Sequence, residues 1–262
     1  MPQKDRMNVF ITGGTTGIGF SLAKLYQSKG HVVGVCGRDL NKLSDESMDS
    51  YTVDVTDEKQ IKNAVQKFCE KNGPLNIMIA NAGIAMGPKD GKVNFSLARD
   101  VININVLGVI NTFDAAMECF PQSGGHLVGI SSVAALVGLP GTGPYSASKA
   151  AVLRLCESYG LDWKKIGVDV TAICPGFINT PLTKKNDHSM PFLMSSDVAA
   201  NKMYDAIERK APLFIFPWQM NLLMRFAEKV PRWFYRLIVM KGMSLAMPKS
   251  KEGPKAPEIS KR

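Results

Sequence analysis

"NVFITGGTTGIGFSLAKLYQSKG", Asn8 to Gly30, decides the fold. It opens on a short apolar run, turns through a cluster of glycines and continues as a segment of helical period. Glycines at a strand-to-helix turn let the backbone fold tightly and come close to a phosphate. The helix N-terminus that follows offers N–H groups with no partner inside the helix and a dipole that favours an anion. The spacing Gly13, Gly17, Gly19 is not the GxGxxG of the general dinucleotide fingerprint, and a glycine cluster alone is also what a flexible turn looks like. Its place between the first strand and the first helix makes it a candidate pyrophosphate cradle, with Thr15 and Ile18 between the glycines.

The same alternation runs outward along the chain. "HVVGVC" (31–36), "YTVDV" (51–55), "LNIMIA" (75–80), "HLVGIS" (126–131), "VDVTAIC" (168–174) and "LFIF" (213–216) join "NVFIT" (8–12) as expected strands. Most are apolar nearly throughout, as parallel strands are when helices cover both faces of a sheet. Between them lie amphipathic segments such as "EKQIKNAVQKFCEKNG", where Ile61, Ala64, Val65, Phe68 and Cys69 share one face and the helix stops at Gly73-Pro74. Alternating strand and helix implies right-handed crossovers and a doubly wound α/β domain, a mostly parallel seven-stranded sheet over 1–216, whose ligand site lies at the carboxyl ends of the strands.

Composition narrows the class. The chain has 262 residues, 45% of them hydrophobic, enough for one large core. Its 5 cysteines are scattered without CxxC spacing, and its start lacks a secretory h-region, which together fit a reduced, cytoplasmic protein. The 3 histidines, His31, His126 and His188, show no ligand spacing, so no metal is expected. Of the net charge of +9, residues 212–262 supply +7, with 10 Lys and Arg against 3 Asp and Glu. No nucleic-acid module accompanies that basic end, so lipid is the more natural anionic partner.

The motifs fall just after strands. After the second strand, Gly37 and Arg38 stand where an acid would accept the 2′-OH of NAD, leaving room and a cation for the 2′-phosphate of NADP(H). Two other readings remain open there: Arg38 as a solvated loop residue, or Asp39 holding the ribose of NAD. Asp54 could accept from the adenine amino group or cap the next helix. "NAG", Asn81, Ala82 and Gly83, serves equally as an adenosine neighbour or a structural turn. "YSASK" places Tyr145 and Lys149 one helical turn apart, about 5 to 6 Å at Cβ, so that the cation favours the phenolate and draws the tyrosine pKa from about 10 toward neutrality. Such a phenol can donate or accept a proton during hydride transfer to a carbonyl. Ser132, after the fifth strand, could hydrogen-bond the carbonyl oxygen, and Asn105 sits in a helix where Asn has little intrinsic preference. After the sixth strand, Pro175 and Gly176 turn the chain toward Ile178 and Thr180, the last available to the nicotinamide side.

Taken together over residues 7 to 216, "TGGTTGIG", "NAG", "NVLG", Ser132, "YSASK" and "PGFINT" stand in the order of the short-chain dehydrogenase/reductase family, which this chain resembles. The resemblance implies a Rossmann-like fold and a tetrad: Tyr145 as general acid/base, Lys149 on the nicotinamide ribose, Ser132 orienting the carbonyl, and Asn105 supporting a water-linked proton relay. It also implies a homo-oligomer, a dimer or tetramer. A member that has kept the fold but serves as a scaffold would lack Tyr, Lys or Ser, and all are present.

Substrate class is less sharply marked. Met190, Phe192, Leu193 and Met194 give the segment after Thr180 an apolar lip that suits either a lipid-like ketone or packing beneath the next helix. Soluble 3-oxoacyl thioesters are the alternative substrates. Residues 217–247 read as an amphipathic extension in which Leu222, Leu223, Phe226, Ala227 and Val230 recur at helical spacing, Pro231 breaks the helix, and Arg225, Lys229, Arg232, Arg236 and Lys241 face only Glu228. That pattern suits attachment to the surface of a membrane without crossing it. Residues 248–262 read as a disordered basic tail.

Overall fold

A computed structural model describes residues 6–45, 47–85, 94–138, 140–185, 189–237 and 239. Seven strands form one sheet in the order β3-β2-β1-β4-β5-β6-β9, and all six pairings are parallel. They are β1 Asn8–Thr12, β2 Val32–Gly37, β3 Asp49–Thr52, β4 Ile77–Ala80, β5 His126–Ile130, β6 Asp169–Pro175 and β9 Leu213–Phe216. The chain builds outward from β1 through β2 to β3, then crosses to the other side of β1 to lay down β4. That reversal opens a crevice beyond the carboxyl ends of β1 and β4.

Two cores flank the sheet, and the pleat sorts residues between them. Phe10 joins Phe68, Phe113 and Val152 on the side of α2 (Glu58–Asn72), α4 (Gly108–Met117) and α5 (Gly143–Asp162). Its neighbours Val9 and Ile11 join Leu22, Tyr26 and Met203 on the side of α1 (Gly17–Ser28) and α6 (Ser196–Glu208). Successive side chains thus point to opposite faces, both apolar because both are covered. Helix ends follow local chemistry: the Asp57 carboxylate accepts from the Gln60 N–H at 3.1 Å to start α2, and Gly73, at φ 91°, ends it.

The structure departs from the sequence expectation in four places. The third strand covers Asp49–Thr52, not 51–55, because β2 ends at Gly37 and its pairing with Thr52 is the last. A separate parallel pair, β7 (Ile178–Asn179) with β8 (Met194–Ser195), is too short to leave a periodic signal. The helix after β4 runs through α3 (Phe95–Ile102) and α4 with a π-helical segment at Asn103–Leu107 between them. Finally, α7 (Trp218–Lys229) turns Met220 and Met224 inward with Ala227 packed on the same core, so Ala227 does not share an outward face with Leu222 and Phe226. The helix stops at Val230, and a further helical turn covers 232–237 beyond Pro231. No helix among the described residues is long and apolar enough to cross a membrane.

Candidate active site

The glycine turn is closed by backbone contact. A Cβ at Gly13, where φ is 64°, would stand 2.8 Å from the Cα of Ala82, and one at Gly19 would stand 2.4 Å from Asn81 Nδ2 and 2.5 Å from the Gly13 carbonyl oxygen. Glycine is therefore required at both positions, by conformation at the first and by approach at both. Asn81 acts as a brace: its Nδ2 donates to the carbonyls of Thr12 and Gly13, each at 3.0 Å, while the backbone N–H groups of Asn81 and Ala82 donate to Thr12 Oγ1. Thr16, at the N-cap of α1, makes no side-chain capping bond, which leaves first-turn N–H groups to an anion.

A cavity of about 280 Å³ lies over this turn. Gly13, Thr15, Gly17 and Ile18 form its floor, Arg38 and Asp54 one wall, and Asn81, Ala82, Gly83 and Thr180 the other. Gly19, Pro175, Gly176 and Ile178 are not on that surface. Gly19 packs α1 against the turn; Pro175 ends β6 opposite Phe216, Gly176 donates its N–H to the Phe216 carbonyl at 2.7 Å, and Ile178 is buried in β7. Asp54 accepts from the N–H and hydroxyl of Thr56 at 3.0 and 2.8 Å, while Asp57 caps α2, so the capping alternative for Asp54 falls away.

At the ribose end, a Cβ on Gly37 would lie 3.0 Å from Thr15 Oγ1, so the wall is narrow there. Asp39 caps its own turn through the Asn41 N–H at 3.1 Å and pairs with Lys42 at 3.1 Å; the Lys42 contact, first among several, holds its carboxyl below the usual range. Asp39 also lines the cavity, its charge answered by Lys42. Lys42 also lines the cavity, a second cation beside Arg38 that sequence reasoning passed over. Its position one helical turn after Arg38, in "GRDLNK", was the available signal.

Beyond the cavity, β5 and α5 bring the candidate catalytic side chains together. The Ser132 side chain lies close enough to Tyr145 to act on its phenol, and its oxygen accepts from the Ala134 N–H at 3.1 Å, starting the short 3-10 turn Val133–Ala135. Lys149 Nζ lies 5.9 Å from the Tyr145 ring centroid and donates to the Ile130 carbonyl at 2.8 Å. Asn105, wholly buried in the π segment, closes a bidentate pair with the backbone of Ile84, its Oδ1 accepting at 2.8 Å and its Nδ2 donating at 2.9 Å. The same Nδ2 donates to Ser148 Oγ at 3.0 Å, and Ser148 donates to the Tyr145 carbonyl at 2.7 Å. π segments inside α-helices gather at functional sites. Ser148 was passed over in the sequence because it stands inside "YSASK" with no motif role of its own.

One electrostatic expectation is corrected. Burial pushes the Tyr145 phenol up, with Ser132 acting against it, so the site does not draw the tyrosine toward neutrality. The reason is desolvation, which also brings Lys149 down to about 8. The ammonium is spent on the Ile130 carbonyl, not on the phenol oxygen. Among the described residues no group of three or more His, Cys, Asp or Glu is placed to hold a metal.

The sequence model of the family described as short chain dehydrogenase matches residues 7–191. The chain belongs to that family. It is 32% identical over 241 residues to an uncharacterised oxidoreductase of Myxococcus xanthus, covering 88% of this chain and 95% of the other. It is 32% identical over 185 residues to the 3-oxoacyl-[acyl-carrier-protein] reductase FabG of Thermotoga maritima, covering 67% and 75%. A short chain dehydrogenase of Burkholderia cenocepacia, solved with NADP, superposes with a TM-score of 0.79 at 23% identity over 90% of this chain and 98% of that one. ElxO with NADP bound gives 0.71 at 26% identity over 80% and 97%. As a short chain dehydrogenase the protein is an NAD(P)-dependent oxidoreductase. The family match stops before β9, so α7 and the turn after it lie outside it.

Proposed function

We propose that this protein reduces ketones with NADPH, and that residues 1–216 form the catalytic unit. The observation that carries the reading is Tyr145 beside Ser132, with Lys149 one turn further along α5, next to a cavity whose ribose end is lined by Arg38, Lys42 and Asp39, the last paired with Lys42 so that Arg38 is left to a 2′-phosphate. The cradle fits a dinucleotide because Gly13 and Gly17 line it with bare backbone and Thr16 leaves the first-turn N–H groups of α1 uncapped. Two relatives by fold hold NADP in their solved structures. When bound, NADPH supplies the hydride. Ser132 holds the ketone oxygen and Tyr145 gives it a proton, while Lys149 contacts the ribose and favours the phenolate that results. Asn105 fixes the π segment against Ile84 so that this end of the crevice does not shift. Assay of NADPH oxidation against a panel of ketones tests the activity, and turnover with NADH equal to that with NADPH would overturn the cofactor choice.

For substrate class we infer a lipid-like ketone. Phe192 and Leu193 are exposed beyond β7, not packed in the core, and an apolar lip in water suits an acyl chain. The similarity to the Thermotoga 3-oxoacyl reductase favours soluble 3-oxoacyl thioesters as the second reading. The same panel, run with and without liposomes, separates them.

We further propose that residues 216–247 rest on an anionic membrane surface, on the cytoplasmic side. Trp218, Phe226 and Trp233 are 69%, 64% and 66% exposed, and Leu222, Leu223 and Leu237 are exposed with them. Arg225, Lys229, Arg232 and Arg236 lie among these residues with Glu228 as the one acid. Each cation contributes about 1 kcal/mol near an anionic surface, so the four described here add to the buried rings. Lys241 and the tail 248–262 lie outside the described residues. Flotation with anionic liposomes tests this, and a full chain that stays in the soluble fraction returns the segment to lid or subunit contact. A homodimer or homotetramer is expected by analogy with the family, and light scattering decides it.

A further inference from the structure

The loop that joins Ser132 to Tyr145 carries two of the reacting side chains on its ends and must keep them in register. Its first turn is Val133–Ala135, and it re-enters helix at Gly143. Midway stands Gly138, whose carbonyl accepts a hydrogen bond from the hydroxyl of Tyr235 at 2.7 Å, across 97 residues of sequence. Tyr235 belongs to the helical turn after Pro231, in the extension that the family match does not reach.

The contact is not isolated. Met220 and Met224, with Ala227 and Tyr235, pack into the same apolar cluster as Val133 and Val137. At the root of the extension, Gly176 donates to the Phe216 carbonyl, and an added Cβ on Gly176 would stand 3.0 Å from Pro217 and 3.4 Å from Met220. The extension therefore touches the reaction centre from two sides, the turn after β6 and the loop after β5. A surface appendage would need neither contact.

The geometry points to Tyr235 as a positioning residue: through Gly138 it holds the Ser132–Tyr145 loop, and the extension thereby forms a wall of the substrate mouth. The inward stripe, Met220, Met224 and Ala227, keeps the loop side packed, while Trp218, Leu222 and Phe226 face outward. One helix thus serves the site with one face and leaves the other for a surface. The kinetic consequence rests on the ketone-reductase reading; the loop contact does not.

Tyr235→Phe tests it, because that change removes one hydroxyl and keeps the ring. In the full chain, the amides of Ala135 and Leu136, which donate to the Ser132 and Val133 carbonyls, are expected to exchange about 3- to 10-fold faster, the range that one net hydrogen bond allows. The kcat/KM for a long-chain β-keto ester should fall by a similar factor through KM, with the Kd for NADPH and the melting temperature unchanged. Unaltered exchange overturns the proposal, and so does a loss shared equally with NADPH affinity and melting temperature, which would mark a general structural role. Trp233→Ala is the companion variant: it should weaken liposome binding and leave the loop amides as they were. If it quickens loop exchange as much as Tyr235→Phe, docking of the whole turn, not the hydroxyl, sets the loop, and the assignment to Tyr235 is wrong. A parent enzyme that reduced no ketone would remove the proposed function, and the exchange measurement would still decide this contact.

Discussion

The two ends of the strands hold their polar groups in different ways. At the amino edge they close on one another. Asn8 Nδ2 donates to the carbonyls of Asn72 and Pro74 at 2.9 Å each, His126 meets Thr171 Oγ1 at 2.8 Å, and Asp169 pairs with Lys164 and Lys210 at 2.6 Å each. At the carboxyl edge Asn105 is likewise closed, on Ile84 and Ser148, but other polar groups there are held on one side. Lys149 is fixed by Ile130, Ser132 by Ala134 and Asn81 by the glycine turn, yet each stands at the crevice where a ligand can still be met. Closed pairs contribute stability; groups fixed on one side keep a valence for chemistry, at the cost of burial without full solvation. A substitution should therefore separate the edges by what it damages.

The largest separation is expected from Tyr145→Phe. Loss of the proton donor should lower kcat by about 10²-fold or more, with NADPH affinity and melting temperature near those of the parent. Turnover like the parent's would remove Tyr145 from the reaction and with it the distinction between the edges. Next comes Arg38→Asp, which exchanges a phosphate partner for a ribose partner. The preference for NADPH over NADH should fall by about 10- to 100-fold, the span of one charge-assisted hydrogen bond, read from the two Kd values. An unchanged ratio would shift the assignment to Lys42. Asn8→Ala, at the other edge, removes both donations to the turn between α2 and β4. It should cost about 1 to 3 kcal/mol in urea unfolding and leave kcat of the folded enzyme alone.

How far the sequence could be read follows the same division. Where the backbone itself enforces a residue, as at Gly13 and Gly19, the motif is visible because no other side chain fits. Six of the seven strands were visible because both faces of the sheet are covered there and their residues are apolar nearly throughout, whereas β3, with the sequence DSYT at the sheet's margin, was displaced by two residues. The spacing of Tyr145 and Lys149 was visible, but its electrostatics were not: Tyr145 next to Lys149 reads as a lowered phenol pKa, and only the surroundings of both groups show that desolvation wins. The π segment around Asn105 leaves no periodic mark over 5 residues. Along α7, every third or fourth residue is apolar on two faces, so the pattern alone could not say that Met220 and Met224 turn inward. The bond from Tyr235 to Gly138 joins two unremarkable positions, and nothing local in either announces the other. His126 opens β5, and nothing in its sequence neighbours announces that it is buried.

That histidine supplies the smallest and most specific test of the amino edge. His126 is buried against Thr171, with Asp169 and Lys210 as the charges nearest it, and burial, opposed by Asp169, brings its pKa from 6.5 to about 4. Between those values the unfolded chain binds a proton that the folded chain refuses. The unfolded state then holds more protons, so stability rises with pH across this window and falls as the solution is acidified through it. Going from pH 7 to pH 5 should remove about 1 to 2 kcal/mol through this group, since one pKa unit corresponds to about 1.4 kcal/mol and the full shift is not yet expressed at pH 5. His126→Gln keeps a polar side chain near Thr171 and cannot take up the proton. Urea unfolding of both proteins at pH 7 and pH 5 should show a smaller acid loss in the variant. Equal losses would mean that His126 is solvated in its protonated form, and that the amino edge is less completely closed than its hydrogen bonds make it.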